Sequence, residues 1–346
     1  MMDQWGSASA SQQSAEEVVV DIRDLVVSFG AGGRCGRAVD GLSLQLRRNR
    51  TVALVGESGS GKSVTSLALM GLLPRGQSQC QGSILFRDRA GVVHDLLKLD
   101  ASRLRALRGD QIAMIFQEPM TSLNPMHRVG DQIAEAIRLH RDIGRDEALR
   151  LAERMIARVG FPDPKARMAA YPHELSGGMR QRIMISMALV CEPAVLIADE
   201  PTTALDVTVQ AQILEEMRRL QAEMAAAMLF ITHDLGVVAQ IAHDVAVIYA
   251  GQIVETGPVE AVLERPAHPY TRALLAAVPR PDRPRAARLQ AIPGIVPDIH
   301  AMPNGCRFQP RCAAAATSCA ERTPSLESID RVRTVRCVRW QELNAA

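Results

Sequence analysis

Two short apolar runs stand out in the alternation of hydrophobic and polar residues, and each is followed by residues suited to bind a ligand. The run Thr51–Val55 is rich in β-branched residues and predicts a buried strand, and residues 62–73 after it predict a helix. The run at residues 194–198 predicts a central strand that ends directly before Asp199 and Glu200. Ligands of open α/β sheets bind beside the carboxyl ends of strands, so this pattern indicates a binding site on an α/β core.

The middle of the chain follows a helical period instead. Residues 129–140 and 145–159 have helical patterns and separate the strand-rich parts on either side. Internal repeats and long heptads are absent, and no run of 18 apolar residues exists. The best candidate for such a run, residues 183–198, is broken by Glu192 and Pro193. We therefore expect a mixed α/β protein without a membrane span.

The composition agrees with a chain that can bury a sizeable core. Its 346 residues are 47% hydrophobic, and the net charge of +2 gives no field that favours nucleic acid or a membrane surface. Residues 1–17 are rich in Ser, Gln and Ala and lack the basic start and apolar centre of a signal peptide. We interpret this segment as a disordered tail on a cytoplasmic protein.

Residues 56–63 have the pattern G-x-x-x-x-G-K-S between the predicted strand and helix. Glycines in such a phosphate loop bend the backbone so that N–H groups point at phosphate oxygens, and the helix dipole favours the same anion. Lys62 is expected to reach the β- and γ-phosphates of ATP, and Ser63 to ligate Mg²⁺. The predicted ATP-binding residues here are Gly56, Ser58, Gly59, Ser60, Gly61, Lys62, Ser63 and Val64.

The two acids after the second apolar run supply the other half of a nucleotide site. Asp199 is predicted to hold Mg²⁺, directly or through water. Glu200 is predicted to polarise the attacking water as a general base. An ordinary solvated acidic pair is the plainer interpretation, but the phosphate loop in the same chain makes it much less favourable.

Residues 175–181, Leu-Ser-Gly-Gly-Met-Arg-Gln, resemble the signature sequence of ABC transporters, and further motifs follow in the order of that family. The resemblance implies an α/β P-loop NTPase (ABC ATPase) core with a helical subdomain. It identifies Gln117 as the Q-loop residue at Mg²⁺ and the γ-phosphate, Asp206 as the D-loop residue and His233 as the catalytic switch histidine. Phe29 is the candidate that stacks on adenine.

The signature itself predicts a second anion site, because Ser176 is a good N-cap and the glycines after it allow close backbone approach. In the family this site closes over ATP that a partner ATPase subunit holds. The resemblance therefore implies two ATP molecules between two head-to-tail domains. The residues assigned to the partner's ATP are Ser176, Gly177, Gly178 and Gln181.

The C-terminal part resembles that of oligopeptide/dipeptide importer ATPases, through residues 268–271 (His-Pro-Tyr-Thr), 303–306 (Pro-Asn-Gly-Cys) and 310–312 (Pro-Arg-Cys). This resemblance implies an ATPase that energises import of di- or oligopeptides, with nickel or another small solute as the alternative. It implies a second ATPase subunit, more favourably a paralogue than an identical copy, two permease subunits and an external solute-binding protein, at the cytoplasmic face of the inner membrane. A rival class, ABC ATPases acting on nucleic acid or ribosomes, is disfavoured by the single phosphate loop and the absent heptads.

The domain organisation follows from these motifs. We expect a nucleotide-binding domain at residues 18–265, with its helical subdomain at about 118–175, and a small Cys-containing extension at 266–346. Residues 1–17 form the predicted tail.

Four of the seven cysteines lie in the extension, at the spacing C-x5-C-x6-C-x17-C. Disulfides are unfavourable in the cytoplasm, and the C-x2–4-C pairs of zinc sites are absent. The resemblance to peptide importers implies a 4Fe–4S cluster, while zinc and plain reduced thiols stay open as alternatives. The predicted ligands are Cys306, Cys312, Cys319 and Cys337.

Overall fold

The structure is a computed structural model, and it describes residues 18–30, 35–117, 122–203, 205–278 and 292–345. The tail predicted at residues 1–17 lies outside the described residues. No helix in these ranges is long and apolar enough to cross a membrane.

Twelve strands are assigned in the described ranges, and most are short. In chain order they are β1 (Val18–Phe29), β2 (Gly36–Arg47), β3 (Thr51–Val55), β4 (Ser78–Arg87), β5 (Val93–Asp95), β6 (Ile112–Ile115), β7 (Val195–Asp199), β8 (Ala227–Thr232), β9 (Asp244–Tyr249), β10 (Gln252–Pro258), β11 (Glu327–Ser328) and β12 (Thr334–Val335).

The α-helices of the described ranges lie between and after these strands. In chain order they are α1 (Lys62–Met70), α2 (Ala101–Leu107), α3 (Val129–Arg138), α4 (Arg145–Arg158), α5 (Pro164–Met168), α6 (Gly177–Leu189), α7 (Val207–Met224), α8 (Leu235–Ile241), α9 (Val259–Glu264), α10 (Pro269–Ala277), α11 (Ser318–Glu321) and α12 (Trp340–Ala345).

The predicted elements are present, with small differences at their ends. The helix predicted from residue 62 ends at Met70 instead of residue 73, because Gly71 adopts a left-handed conformation (φ 60°) and its N–H bonds back to the last turn. The strand before Glu200 runs from Val195 to Asp199, so Asp199 belongs to the strand itself. The two central helices end at Arg138 and Arg158, one or two residues early.

The chain divides into two compact units. The first contains residues 1–21, 45–51 and 84–230, and the second contains residues 22–44, 52–83 and 231–346. The predicted helical subdomain, at about 118–175, falls within the first unit. The predicted extension from residue 266 belongs to the second unit, together with the segment that carries the phosphate loop.

In the first unit, β7 lies between β6 and β8. β6 and β7 are parallel, with Ile112 opposite Val195 and Ile115 opposite Ala198. All five residues of β7 are buried, as expected for a central strand covered on both faces.

In the second unit, the strand order is β11-β12-β10-β9-β3. β3 and β9 are parallel, with Val52 opposite Asp244, whereas β9 and β10 form an antiparallel hairpin. β12 comes from the predicted extension and pairs antiparallel with β10, with Val335 opposite Glu255. The extension is therefore joined to this sheet by backbone pairing.

One apolar cluster of the second unit combines the sheet with the extension. Val55 of β3, Val247 and Tyr249 of β9 and Tyr270 of α10 pack in it together with Phe308. Tyr249, Tyr270 and Phe308 form an aromatic group whose ring centroids are 4.7–5.2 Å apart. Such aromatic contacts add to the free energy of area burial, so this cluster holds the extension against β9.

Candidate functional site

The phosphate loop connects β3 to α1 through a backbone path that requires glycine. Gly61 has φ 104°, and a Cβ atom there would lie 2.6 Å from the carbonyl oxygen of Ala38. The loop is fastened at Ser60, whose carbonyl oxygen accepts a hydrogen bond of 2.8 Å from the N–H of Gly251. The backbone therefore keeps its sharp turn, and the N–H groups at the start of α1 point out of the helix as an anion site.

Lys62 closes this loop. Its Nζ donates to the carbonyl oxygens of Gly56 (2.8 Å) and Glu57 (2.9 Å), and the residue is only 6% exposed. Ser58, Gly59 and Ser63 are exposed, so this part of the loop is open to a ligand from solvent. The Ser60 hydroxyl is buried without a hydrogen-bond partner among the described residues, so it is a donor that remains to be satisfied.

In the first unit, the predicted base and the Q-loop residue lie together. Asp199 is 4% exposed at the end of β7, and Glu200 after it has a left-handed backbone with φ 46°. Glu200 Oε2 accepts hydrogen bonds from Gln117 Nε2 and Thr203 Oγ1, both at 3.2 Å. A strained backbone and two donors thus orient this carboxylate, which is the arrangement a general base needs.

The signature residues occupy the start of α6. The Ser176 hydroxyl caps the helix by accepting from the N–H of Met179 at 3.4 Å, and Ser176 and Gly177 are exposed. Gly178 permits the close approach of α7, because a Cβ atom there would lie 2.6 Å from Val209 Cγ1. Gln181 differs, since it is 1% exposed and its Nε2 has no hydrogen-bond partner in the described part of the chain.

The remaining predicted residues terminate other elements. Asp206 caps α7 by accepting from the N–H of Val209 at 2.9 Å. His233 follows β8 and is exposed, and Phe29 is half-buried at the end of β1. The phosphate loop, Phe29 and His233 belong to the second unit, whereas Gln117, Asp199, Glu200, Asp206 and the signature belong to the first.

All four cysteines of the extension line one small cavity of the second unit. Burial raises the pKa of the Cys306 and Cys312 thiols and raises that of Cys337 to about 11. The negative charge of neighbouring thiolates raises the pKa of Cys337 further. Within the described residues, no group of three or more His, Cys, Asp or Glu side chains is arranged to hold a metal ion.

Sequence reasoning missed two residues that contact the phosphate loop. Arg311 forms a salt bridge of 2.7 Å with Glu57, the second residue of the loop. The Tyr270 hydroxyl accepts a hydrogen bond of 2.9 Å from the N–H of Glu57. Both residues lie inside the importer-type segments of the extension, but their spacing in the sequence carries no signal for these contacts.

The start of α10 contains a buried histidine that makes stability pH-dependent. His268 is 1% exposed, its Nδ1 accepts from the N–H of Tyr270 at 3.0 Å, and burial lowers its pKa to about 3 from 6.5. The unfolded chain binds the proton below pH 6.5 and the folded chain only near pH 3, so stability is lost as the pH falls through this window. Glu255, whose pKa is raised by burial, acts in the opposite sense, because the folded chain binds its proton more tightly than the unfolded chain does.

We therefore expect His268→Asn to flatten the pH dependence of the unfolding midpoint between pH 6.5 and 4. The Asn side chain can still accept from the Tyr270 N–H but does not titrate in this range. The midpoint is measured by thermal unfolding of both the variant and the parent chain. Both chains contain Glu255, so the difference between their midpoints cancels most of its contribution. Equal slopes for both chains would show that His268 is not the group responsible.

The comparisons with known proteins agree with these motifs. Residues 39–203 match the ABC transporter family, and residues 254–319 match the oligopeptide/dipeptide transporter C-terminal region. A protein of Brucella melitensis biotype 1, named as a peptide import ATP-binding protein, is 50% identical over 337 residues, which cover 96% of this chain and 100% of the relative. The chain belongs to the ATP-binding subunits of the oligopeptide/dipeptide ABC importer family.

Further matches support this family and its fold. The dipeptide transport ATP-binding protein DppD of Bacillus subtilis is 47% identical, over 93% of this chain and 94% of DppD. The dimeric post-hydrolysis structure of the ATP-binding cassette MJ0796 with ADP and Pi superposes with a TM-score of 0.60 at 21% identity, and covers 69% of this chain and 98% of the cassette. The importer ATPase thus has the P-loop NTPase fold predicted from its motifs, and its activity is ATP hydrolysis.

Proposed function

We propose that this chain binds and hydrolyses ATP to energise the import of di- or oligopeptides. The observation that carries the proposal is the pairing of a complete phosphate loop with a C-terminal region of the oligopeptide/dipeptide transporter type. The solute is inferred from the relatives, whose names specify peptide or dipeptide import. Nickel or another small solute is the alternative within the family.

The roles of the ATP-site residues are proposed motif by motif. Lys62 binds the β- and γ-phosphates, supported by its position inside the loop. Ser63, Gln117 and Asp199 hold Mg²⁺, Glu200 activates water, and His233 contacts the γ-phosphate. The further ATP contacts proposed for this chain are Phe29, Gly56, Ser58, Gly59, Ser60, Gly61 and Val64.

The signature is proposed to serve the ATP of a partner subunit, and Asp206 is proposed as the D-loop residue. Ser176, Gly177 and Gly178 form the exposed or half-exposed start of α6, where the helix dipole favours an anion. Gln181, which the resemblance assigns to the same ATP, stays in the proposed set, although only 1% of it is exposed within this chain. Asp206 caps α7, the helix whose Val209 lies against Gly178 of α6.

The proposed assembly contains a paralogous ATPase subunit, two permease subunits and an external solute-binding protein, at the cytoplasmic face of the inner membrane. The family of ATP-binding import subunits implies permeases and an ATPase pair. The proposed domains are a nucleotide-binding domain at 18–265, with its helical subdomain at about 118–175, and the extension from residue 266.

Transport by the purified complex tests this function. The chain is co-purified with its permeases, reconstituted in vesicles and supplied with binding protein loaded with a di- or oligopeptide or with nickel. We expect ATP-dependent uptake of peptide, and none with Lys62→Ala. Uptake of nickel instead would support the alternative, and co-purification of ribosomes or DNA without permeases would contradict an importer.

We further propose that Cys306, Cys312, Cys319 and Cys337 ligate a 4Fe–4S cluster. The fit rests on the four thiols lining one cavity in an extension that contains few long elements. A single metal ion gathers all its ligands at about 2.3 Å, whereas a four-iron cluster binds each thiolate at a different iron. Within the described residues no group of side chains is arranged to hold a metal ion, so the proposal rests on the shared cavity and on the resemblance.

Purification without oxygen tests whether this site holds the cluster. The protein should be brown and contain about four irons per chain, because each of the four cysteines ligates one iron. Cys319→Ser should abolish the iron, whereas Cys191→Ser, which alters a buried cysteine outside the extension, should not. One zinc per chain, or metal-free protein with four titratable thiols, would each contradict the cluster.

A further inference from the structure

The second residue of the phosphate loop is held by a side chain from the extension. Arg311 forms a two-pronged salt bridge with Glu57, with Nη1 2.7 Å from Oε2 and Nη2 2.9 Å from Oε1. This fork geometry is the strongest that an arginine and a carboxylate can adopt. The Arg311 side chain is 5% exposed and that of Glu57 30%, so solvent screens the pair only in part.

Arg311 is itself fixed from several sides. Its Nε donates to the carbonyl oxygen of Pro293 at 2.8 Å, and its Nη1 also donates to the Tyr249 hydroxyl at 3.3 Å. The guanidinium lies 5.7 Å from the centre of the Tyr249 ring, within range of a cation–π contact. The guanidinium therefore reaches Glu57 in one orientation, with little side-chain freedom left to lose.

Glu57 connects these contacts to the phosphate-binding lysine. Its N–H donates to the Tyr270 hydroxyl, and its carbonyl oxygen accepts from Lys62 Nζ at 2.9 Å and from the N–H of Ser60 at 3.2 Å. Residues of the extension thus hold both the side chain and the backbone of Glu57. The same peptide unit forms part of the cage around the Lys62 ammonium.

A carboxylate at this position is electrostatically unfavourable in a loop that binds the phosphates of ATP. ATP brings several negative charges to a loop whose second side chain is also negative, and like charges a few ångströms apart repel strongly where water is partly excluded. The Arg311 guanidinium neutralises Glu57 and keeps its side chain turned toward the extension. Without that partner, the free carboxylate would oppose the triphosphate and be able to bind Lys62 in its place.

We propose that Arg311 is a positioning residue for ATP binding, which acts by neutralising and orienting Glu57 of the phosphate loop. The extension then contributes to the affinity of the phosphate loop for ATP, besides any role in assembly of the transporter. The effect acts on binding of ATP more than on turnover, because neither residue of the pair is placed at the γ-phosphate or the attacking water.

The test measures MgATP affinity in the full complex for Arg311→Met, Glu57→Gln and the double variant. Arg311→Met is expected to raise the dissociation constant roughly tenfold, with kcat at saturating ATP within about twofold of the parent. The double variant should recover most of the affinity, because the unpaired carboxylate is gone. Added salt should also reduce the difference in dissociation constant between Arg311→Met and the parent, since it screens the repulsion between Glu57 and ATP.

Arg333→Met is the matched control. Arg333 is another arginine of the extension with a largely buried side chain, 11% exposed, but it bonds to Asp330 and to the carbonyl oxygens of Ala261 and Arg265 instead of the loop. The Arg333→Met variant should leave ATP affinity unchanged. Metal content and thermal midpoint are measured for every variant, so that loss of the extension's fold is recognised.

Two results would overturn the proposal. One is parent-like ATP affinity in folded Arg311→Met. The other is failure of Glu57→Gln to restore that affinity in the double variant. If Arg311→Met does not fold, Glu57→Gln alone decides the matter, because it leaves the guanidinium positive beside the loop. ATP should then bind more tightly and with a steeper salt dependence than in the parent, and unchanged binding would refute the charge argument.

Discussion

Glu200→Gln is expected to lower ATP turnover by about 10²–10⁴-fold while ATP binding persists. The amide keeps the size of the side chain but cannot accept a proton from the attacking water. The hydrogen bonds from Gln117 and Thr203 hold the carboxylate in place, and the same donors can hold the amide oxygen. The variant should therefore accumulate with ATP bound, in a closed ATPase pair if the proposed assembly is correct.

Single-turnover hydrolysis in the assembled complex measures this effect separately from nucleotide affinity. Glu215→Gln is the matched control, because Glu215 is an exposed acid of α7 that forms a salt bridge with Arg218 on the helix surface. Parent-like turnover in Glu200→Gln would assign the base to another group. Thr203→Val, which removes one of the two orienting donors, is expected to have an intermediate effect.

Lys62→Met is expected to weaken ATP binding by about 2–5 kcal/mol, or at least ~30-fold. Methionine retains the length and the apolar stem of the side chain but removes the charge that Lys62 would bring to the phosphates. It also leaves the carbonyl oxygens of Gly56 and Glu57 without the ammonium that joins them. We therefore expect both a lower affinity for ATP and an altered conformation of the loop.

The chain offers a close control for this variant. Lys98 is one of the other two lysines, and its side chain is 80% exposed beside Asp95. Lys98→Met should leave the dissociation constant of MgATP unchanged in a fluorescence or calorimetric titration. Equal affinity in Lys62→Met and the parent would contradict the role of the loop lysine, and with it the proposed orientation of ATP.

The sequence could predict which residues share the catalytic site, but not the contacts that these residues make within each unit. The motif pattern indicated that Gln117 and Glu200 serve one site, and the structure joins them through a hydrogen bond of 3.2 Å. The pattern could not show the left-handed backbone of Glu200 or the help from Thr203, because both depend on how the chain turns after β7. The burial of Gln181 was likewise invisible, since it follows from packing around α6.

The cysteines illustrate the same limit. Their spacing excluded the usual zinc pairs but could not say whether four thiols separated by such different intervals meet in space. Pairing of β12 with β10 and packing of Phe308 against Tyr249 bring them around one cavity. These contacts join distant segments, and their energies depend on area and geometry that no local pattern records.

The sequence by itself determined the phosphate loop, the strand that leads to Asp199 and Glu200 and the importer family, because each depends on residues close together in the chain. The pattern G-x-x-x-x-G-K-S between a strand and a helix is typical of a phosphate loop, so its chemistry can be inferred from local spacing. The salt bridge between Glu57 and Arg311 joins residues 254 positions apart, so only the tertiary structure could reveal it. Pairing of β12 with β10 and the aromatic cluster attach the extension to the same unit, and both depend on contacts between segments distant in the chain.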